Sequence, residues 1–123
     1  MTEAQIERQC SDFLALDGWR LVKTDPCSDA RRGKGFGERG MADCLYLRYG
    51  TARPEAPQRA SGDILWVEWK GPKGRVAPHQ AQWHIEERAR GAAVVVAIQD
   101  FPPTFEGFTD WYRKSGLLRR TGL

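Results

Sequence analysis

The sequence predicts an α/β domain, a mixed sheet flanked by helices, and three observations lead to it. Segments of strand composition recur at 19–24, 42–49 and 63–70. The run AAVVVAI at 92–98 is uninterrupted by polar residues, as in a strand covered on both faces. Between and around these lie stretches with apolar residues at helical spacing. The resulting order is α-β-β-β-α-β-α.

Each element has its own signal. Residues 2–16 form a helix that Thr2 can cap, with Ile6, Cys10, Phe13 and Leu14 on one face and Gly18 as terminator. Residues 19–24 alternate apolar and polar. Residues 25–41, DPCSDARRGKGFGERGM, form a loop interrupted by glycines at 33, 35, 37 and 40. ADCLYLRY at 42–49 is a second strand. GTARPEAPQRASG at 50–62 is a surface connection rich in Pro, Gly and Ala. DILWVEWK at 63–70 is a third strand, and GPKGR then turns the chain. Pro78 suits the first turn of a helix that runs to Arg90 and ends at Gly91. Residues 105–114 are a last amphipathic helix, followed by a basic tail at Arg119 and Arg120.

Bulk properties narrow the class. A chain of 123 residues is one domain, 1–123. Hydrophobic residues at 41% and charged residues at 28% are those of a globular protein. No apolar run approaches the roughly 20 residues needed to cross a bilayer, and MTEAQIERQC is no signal peptide, so a cytoplasmic setting without a membrane is expected. The net charge of +3 leans toward a polyanionic partner. Cys10, Cys27 and Cys44 form no CxxC pair, which argues against zinc, and their odd number against a disulfide framework.

The chemistry concentrates on the third strand. Residues alternate across a strand, so Glu68 and Lys70 share a face with Ile64 and Trp66. Alone, the pair also fits a solvent-edge ion pair. Gly40-Met41-Ala42-Asp43 adds a second carboxylate at the start of the preceding strand. If the two strands pair as a hairpin, Asp43 lies beside Glu68 and Lys70. Two adjacent carboxylates repel unless a cation separates them, and hard oxygen ligands select Mg²⁺ or Mn²⁺. Such an ion orients phosphate and acidifies water, while a lysine steadies the transition state. Asp63 competes with Asp43 but stands at an odd separation from Glu68, on the opposite face.

Asp43 followed by Glu68-Trp69-Lys70 resembles the signature of PD-(D/E)xK nucleases. The chain more narrowly resembles stand-alone VRR-NUC domains, through Glu3-Ala4-Gln5-Ile6, Gly40-Met41-Ala42-Asp43, Val67-Glu68-Trp69-Lys70 and Pro78-His79-Gln80. The resemblance implies a restriction-endonuclease-like fold and a site completed by a helix glutamate and by Gln80. It also implies the backbone carbonyl of Trp69 as a metal ligand. The helix carboxylate would be Glu3, which falls within the apolar arc at about 100° per residue, with Glu7 at its edge. In the helix from Pro78 the apolar stripe is read as Ala81, Ile85 and Ala89, with Gln80, His84 and Arg88 on a polar line. His84 and Arg88 are candidate DNA contacts or part of a solvated face.

Basic residues bracket the acidic cluster: Arg31, Arg32, Lys34 and Arg39 before it, Lys73 and Arg75 after it. With glycines allowing close backbone approach, they are candidate phosphate contacts. The resemblance implies a structure-selective DNA endonuclease acting at four-way or other branched DNA, and it favours a homodimer. The apolar C-terminal segment with Phe105, Phe108, Trp111, Tyr112, Leu117 and Leu118 fits either a partner or the chain's own sheet. Alternatives are a restriction-like or repair endonuclease with another DNA preference, or a noncatalytic DNA-binding module.

Overall fold

The computed structural model describes residues 1–23, 39–50, 55 and 61–123. Its elements are α1 (Glu3–Leu16), β1 (Arg20–Lys23), β2 (Cys44–Tyr49), β3 (Gly62–Glu68), α2 (Pro78–Ala89), β4 (Val94–Val96) and α3 (Phe105–Lys114). They form the expected mixed α/β arrangement. No helix among the described residues is long and apolar enough to cross a membrane.

The helix ends follow local chemistry. The Thr2 hydroxyl accepts the Gln5 N–H at 3.2 Å, and the Gln5 side chain accepts the Thr2 N–H at 2.8 Å, closing a reciprocal cap. The Thr104 hydroxyl accepts the Gly107 N–H at 2.9 Å and starts α3 in the same manner. Pro78 opens α2, where a missing N–H costs nothing.

The four strands lie in the order β1-β2-β3-β4. The first three are antiparallel, with Cys44 opposite Val67 and Arg48 opposite Asp63. β4 runs parallel to β3, with Val96 beside Glu68, and α2 makes the crossover between them. α1 and α3 cover one face through Ile6, Cys10, Phe13, Leu14, Phe108 and Tyr112, packed on Cys44, Tyr46, Leu65, Val67 and Trp69. α2 covers the other face, with Trp83 against Ala42, Val94, Val96 and Trp66. All of β4 is buried, as its unbroken apolar run requires.

Three expectations change. The strands are shorter than their sequence signals: β3 ends at Glu68, so Lys70 stands just past the ladder. The stripe read for α2 is also displaced, because its buried residues are Trp83 and His84 while Ile85 is 60% exposed. One indole buries more apolar surface than two alanines, so the helix turns Trp83 inward, its ring edge-on to Trp66 at 5.0 Å between centroids. Finally, the apolar residues of α3 and the tail dock on the chain's own core, which accounts for their apolarity without a partner.

At the far end of β2 a buried arginine ties the termini together. Arg48 donates to Asp17 at 3.0 Å, to Asp63 at 2.7 Å and to the Leu117 carbonyl at 2.7 Å. Its guanidinium lies over the Trp19 ring at 4.4 Å. Asp17 also accepts from the Tyr112 hydroxyl and from the backbone N–H groups of Arg119 and Arg120. Burial alone would raise the Asp17 pKa, but these donors outweigh it and hold the carboxyl below its usual value. Removing one partner of such a buried pair leaves an uncompensated charge. Arg48→Met should therefore cost about 3–5 kcal/mol in urea unfolding; a loss below about 1 kcal/mol would show that the cluster is dispensable.

Candidate active site

The β2–β3 register builds the site. Cys44 faces Val67, so the next rung brings Asp43 opposite Glu68. The segment leading into β2 is fixed before it reaches Asp43. Gly40 has φ +84°, and a side chain there would overlap the His79 carbonyl at the start of α2. Ala42 is fully buried and packs with Trp83. Glycine thus permits the close approach, alanine anchors the strand entry, and Asp43 arrives at the end of β3.

Glu68 is 0% exposed. Its Oε1 lies 3.3 Å from His84 Nε2, and its Oε2 is buried without a hydrogen-bond partner. Lys70 Nζ stands 3.9 Å from that Oε2 and donates to Gln80 Oε1 at 3.1 Å. The same Gln80 oxygen accepts the Ala77 N–H at 2.9 Å, so the amide is locked at the helix start before it meets the lysine. A Cβ on Gly74 would press on the Lys70 stem at 3.0 Å, which keeps that turn close to the lysine.

The electrostatics are those of crowded acids. Burial, then the neighbouring Glu68 carboxylate, pushes Asp43 up to about 8. Burial also raises Glu68, with the Asp43 interaction and the Lys70 charge opposing it. The two acids share a side-chain hydrogen bond and resist being ionised together, and the Lys70 charge only partly offsets this.

Glu3 lies in the first turn of α1, where a Cβ added to Gly71, just after Lys70, would come within 3.5 Å of its backbone N and 3.7 Å of its Cβ. Its carboxyl is raised by partial burial and by the Asp43 charge, and lowered by Lys70. Glu7 pairs with Lys23 at 3.0 Å and accepts from the Cys44 thiol at 3.2 Å. Both helix carboxylates border the cluster: Glu3 is raised by Asp43 and lowered by Lys70, while Glu7, paired with Lys23, helps to raise Asp43. Asp63, at the other end of β3, belongs to the Arg48 cluster.

The candidate DNA contacts divide. Arg39, Lys73 and Arg75 are exposed; Arg31, Arg32 and Lys34 lie outside the described residues. His84 is corrected: at 2% exposure it sits beneath Glu68, where a nucleic acid does not reach. Arg88 is also redirected, donating to the Val94 carbonyl at 2.7 Å and to Asp100 at 3.1 Å. The His84–Glu68 contact was missed from sequence, although His84 stands one helical turn after Gln80 on the line already singled out. Trp69, whose carbonyl follows Glu68 in the backbone, buries its whole side chain and donates from its indole to the Tyr46 hydroxyl at 3.2 Å.

Among the described residues no group of three or more His, Cys, Asp or Glu side chains is gathered to hold a metal ion. The donors that fit a hard divalent cation are the Asp43 and Glu68 carboxylates, one with an unpartnered buried oxygen, with Glu3 nearby. No protein-family model, curated protein or solved structure matches the chain.

The raised Asp43 pKa has a consequence for stability. The folded state holds a proton that the unfolded carboxyl releases near 3.8, so this contribution is intact at low pH and fades as pH rises through about 8. His84, pushed down to about 4 mainly by burial, acts with the opposite sign, but only below about 6.5. Between pH 6.5 and 8 the metal-free protein should therefore lose melting temperature, and Asp43→Asn should flatten that slope. Equal slopes for both proteins would contradict the assignment.

Proposed function

We propose that this chain is a divalent-metal-dependent DNA endonuclease of the PD-(D/E)xK type, with the restriction-endonuclease-like core expected of a VRR-NUC domain. The observation that carries the reading is the apposed Asp43–Glu68 pair, with Glu68 fully buried and Asp43 half-buried, flanked by Lys70 as the nearby positive charge. A purely structural carboxylate pair would be a poor choice at such a position, because apolar residues of similar size would pack there without the desolvation cost. The mixed sheet with Glu68 at the end of a strand that is antiparallel to β2 and parallel to β4 supports the same reading.

Asp43, Glu68 and the Trp69 carbonyl would hold Mg²⁺ or Mn²⁺, with Glu3 at the rim. When bound, the ion would orient a phosphate, acidify an attacking water and offset the charge of the transition state. Asp43 would bind the ion as its carboxylate, its proton passing to solvent. Lys70, held by Gln80, presents a fixed positive charge to the water or to the phosphoryl oxygens. Arg39, Lys73 and Arg75 draw the DNA backbone toward this end of the sheet. The resemblance supplies the finer part of the proposal: branched DNA, four-way junctions foremost, cut by a homodimer whose two sites deliver the paired incisions.

Asp43→Asn and Glu68→Gln should each abolish cleavage while melting cooperatively, since each removes an anionic ligand at constant shape. Cleavage is measured on four-way, flapped, linear and single-stranded DNA with Mg²⁺ and with Mn²⁺; activity in either variant or in excess chelator would overturn the reading. Lys70→Ala should lower the single-turnover rate at saturating DNA by about a hundredfold or more. Lys73→Ala should instead weaken binding and reduce its salt dependence, and an equal rate loss at saturation in both variants would refute this division.

A further inference from the structure

We propose that His84 is a positioning residue for Glu68: one imidazole N–H fixes Oε1 so that Oε2 is the oxygen offered to a cation. The inference rests on the reading of Glu68 as a metal-holding carboxylate.

His84 is almost wholly enclosed, at 2% exposure, and its Nε2 lies 3.3 Å from Glu68 Oε1. Its Nδ1 is buried and has no partner. An imidazolium would leave a bare N–H at Nδ1, so the neutral ring suits this cavity. The neutral ring has one proton to place. On Nε2 it makes a hydrogen bond to a carboxylate oxygen; on Nδ1 it would leave two lone pairs facing each other across 3.3 Å. The carboxylate therefore selects the Nε2–H tautomer, and the unmet acceptor at Nδ1 is the cost. A leucine or phenylalanine would fill the same space without that cost, so packing alone does not explain an imidazole here.

The arrangement extends along α2. Gln80 holds Lys70, and His84, one turn later, meets Glu68. Two residues along an extended chain advance about 6.6 Å, and four residues along a helix about 6 Å. The two spacings nearly match, and the chain directions are opposed, so one face of one helix clamps both members of the Glu-x-Lys pair. The two oxygens of Glu68 thereby acquire different tasks: Oε1 is tethered by His84, and Oε2, 3.9 Å from the Lys70 ammonium, is the one a cation would meet.

The test uses two variants and one spectrum. His84→Phe keeps a ring without a donor, and His84→Gln keeps a donor without the ring. Mn²⁺ binding measured by calorimetry should weaken about 10–100-fold in His84→Phe. In His84→Gln it should stay within about threefold of the unsubstituted protein, the range over which single contacts vary with context. Binding in His84→Phe equal to that of the unsubstituted protein would overturn the inference, as would equal weakening in both variants, the mark of packing alone. If a variant fails to fold, the ¹⁵N shifts of His84 in the unsubstituted protein decide: the Nε2–H tautomer is expected, and the Nδ1–H tautomer overturns it. Failure of the unsubstituted protein to bind Mn²⁺ at millimolar concentration would instead overturn the functional reading, and this inference with it.

Discussion

Withdrawing the Glu68 carboxylate from water constrains every element that meets it. β3 delivers it at the last rung of the ladder, β2 sets Asp43 opposite, and α2 supplies an imidazole on one side and a locked amide beyond. The entry to β2 must press on the start of α2 to make this possible, which is why Gly40 abuts the His79 carbonyl. Burial of a carboxylate is tolerated only with compensation, and here the compensation is incomplete. Oε1 meets the His84 ring, and the carboxyl otherwise leans on Asp43, a second acid that is itself crowded.

The same hairpin carries a counterexample at its opposite end. Arg48 is equally withdrawn from solvent, yet its donors find Asp17, Asp63 and the Leu117 carbonyl, and its face finds Trp19. That cluster is closed: Arg119 also reaches Asp63 at 3.1 Å, so two guanidinium groups meet two carboxylates and the hydrogen bonds are made among residues of the chain. The cluster at Glu68 is open, with the Asp43 and Glu68 carboxyls crowded together beside the single ammonium of Lys70. Two ionic groups on one pair of strands thus differ: one is a closed structural tie, and the other is the group on which the proposed function rests.

How much of this was legible in sequence depended on the range of the interaction. Thr2, Pro78 and the run at Val94–Val96 act within a few residues, so the caps and the buried strand could be read directly. Asp43 and Glu68 are far apart in the chain but linked by a hairpin register, which alternation makes calculable; the same parity removed Asp63. The rotation of α2 was not legible. It follows from Trp83 finding Trp66 across the sheet, a tertiary preference that overrode the local stripe of Ala81, Ile85 and Ala89. With that stripe misplaced, His84 was left on a solvent-facing line, and its contact with Glu68 could not be seen. The Arg48 cluster escaped for a similar reason, since its partners come from α1, β3 and the tail.

The hairpin register has a further meaning for how such a domain could change over generations. Asp43 meets Glu68 because of a count of residues, not because of a local motif. A single-residue deletion inside β2 would leave the helices in place, yet with the rest of β2 held in register it would bring Ala42 to the rung that Asp43 now occupies. Substitutions would wear the proposed site down gradually, but a deletion within β2 would part Asp43 from Glu68 in one event while sparing the scaffold. Under the proposed function, a lineage could in this way pass abruptly from an active domain to an inert one of the same shape. The two kinds of descendant would be told apart by strand length before any acidic residue had been lost.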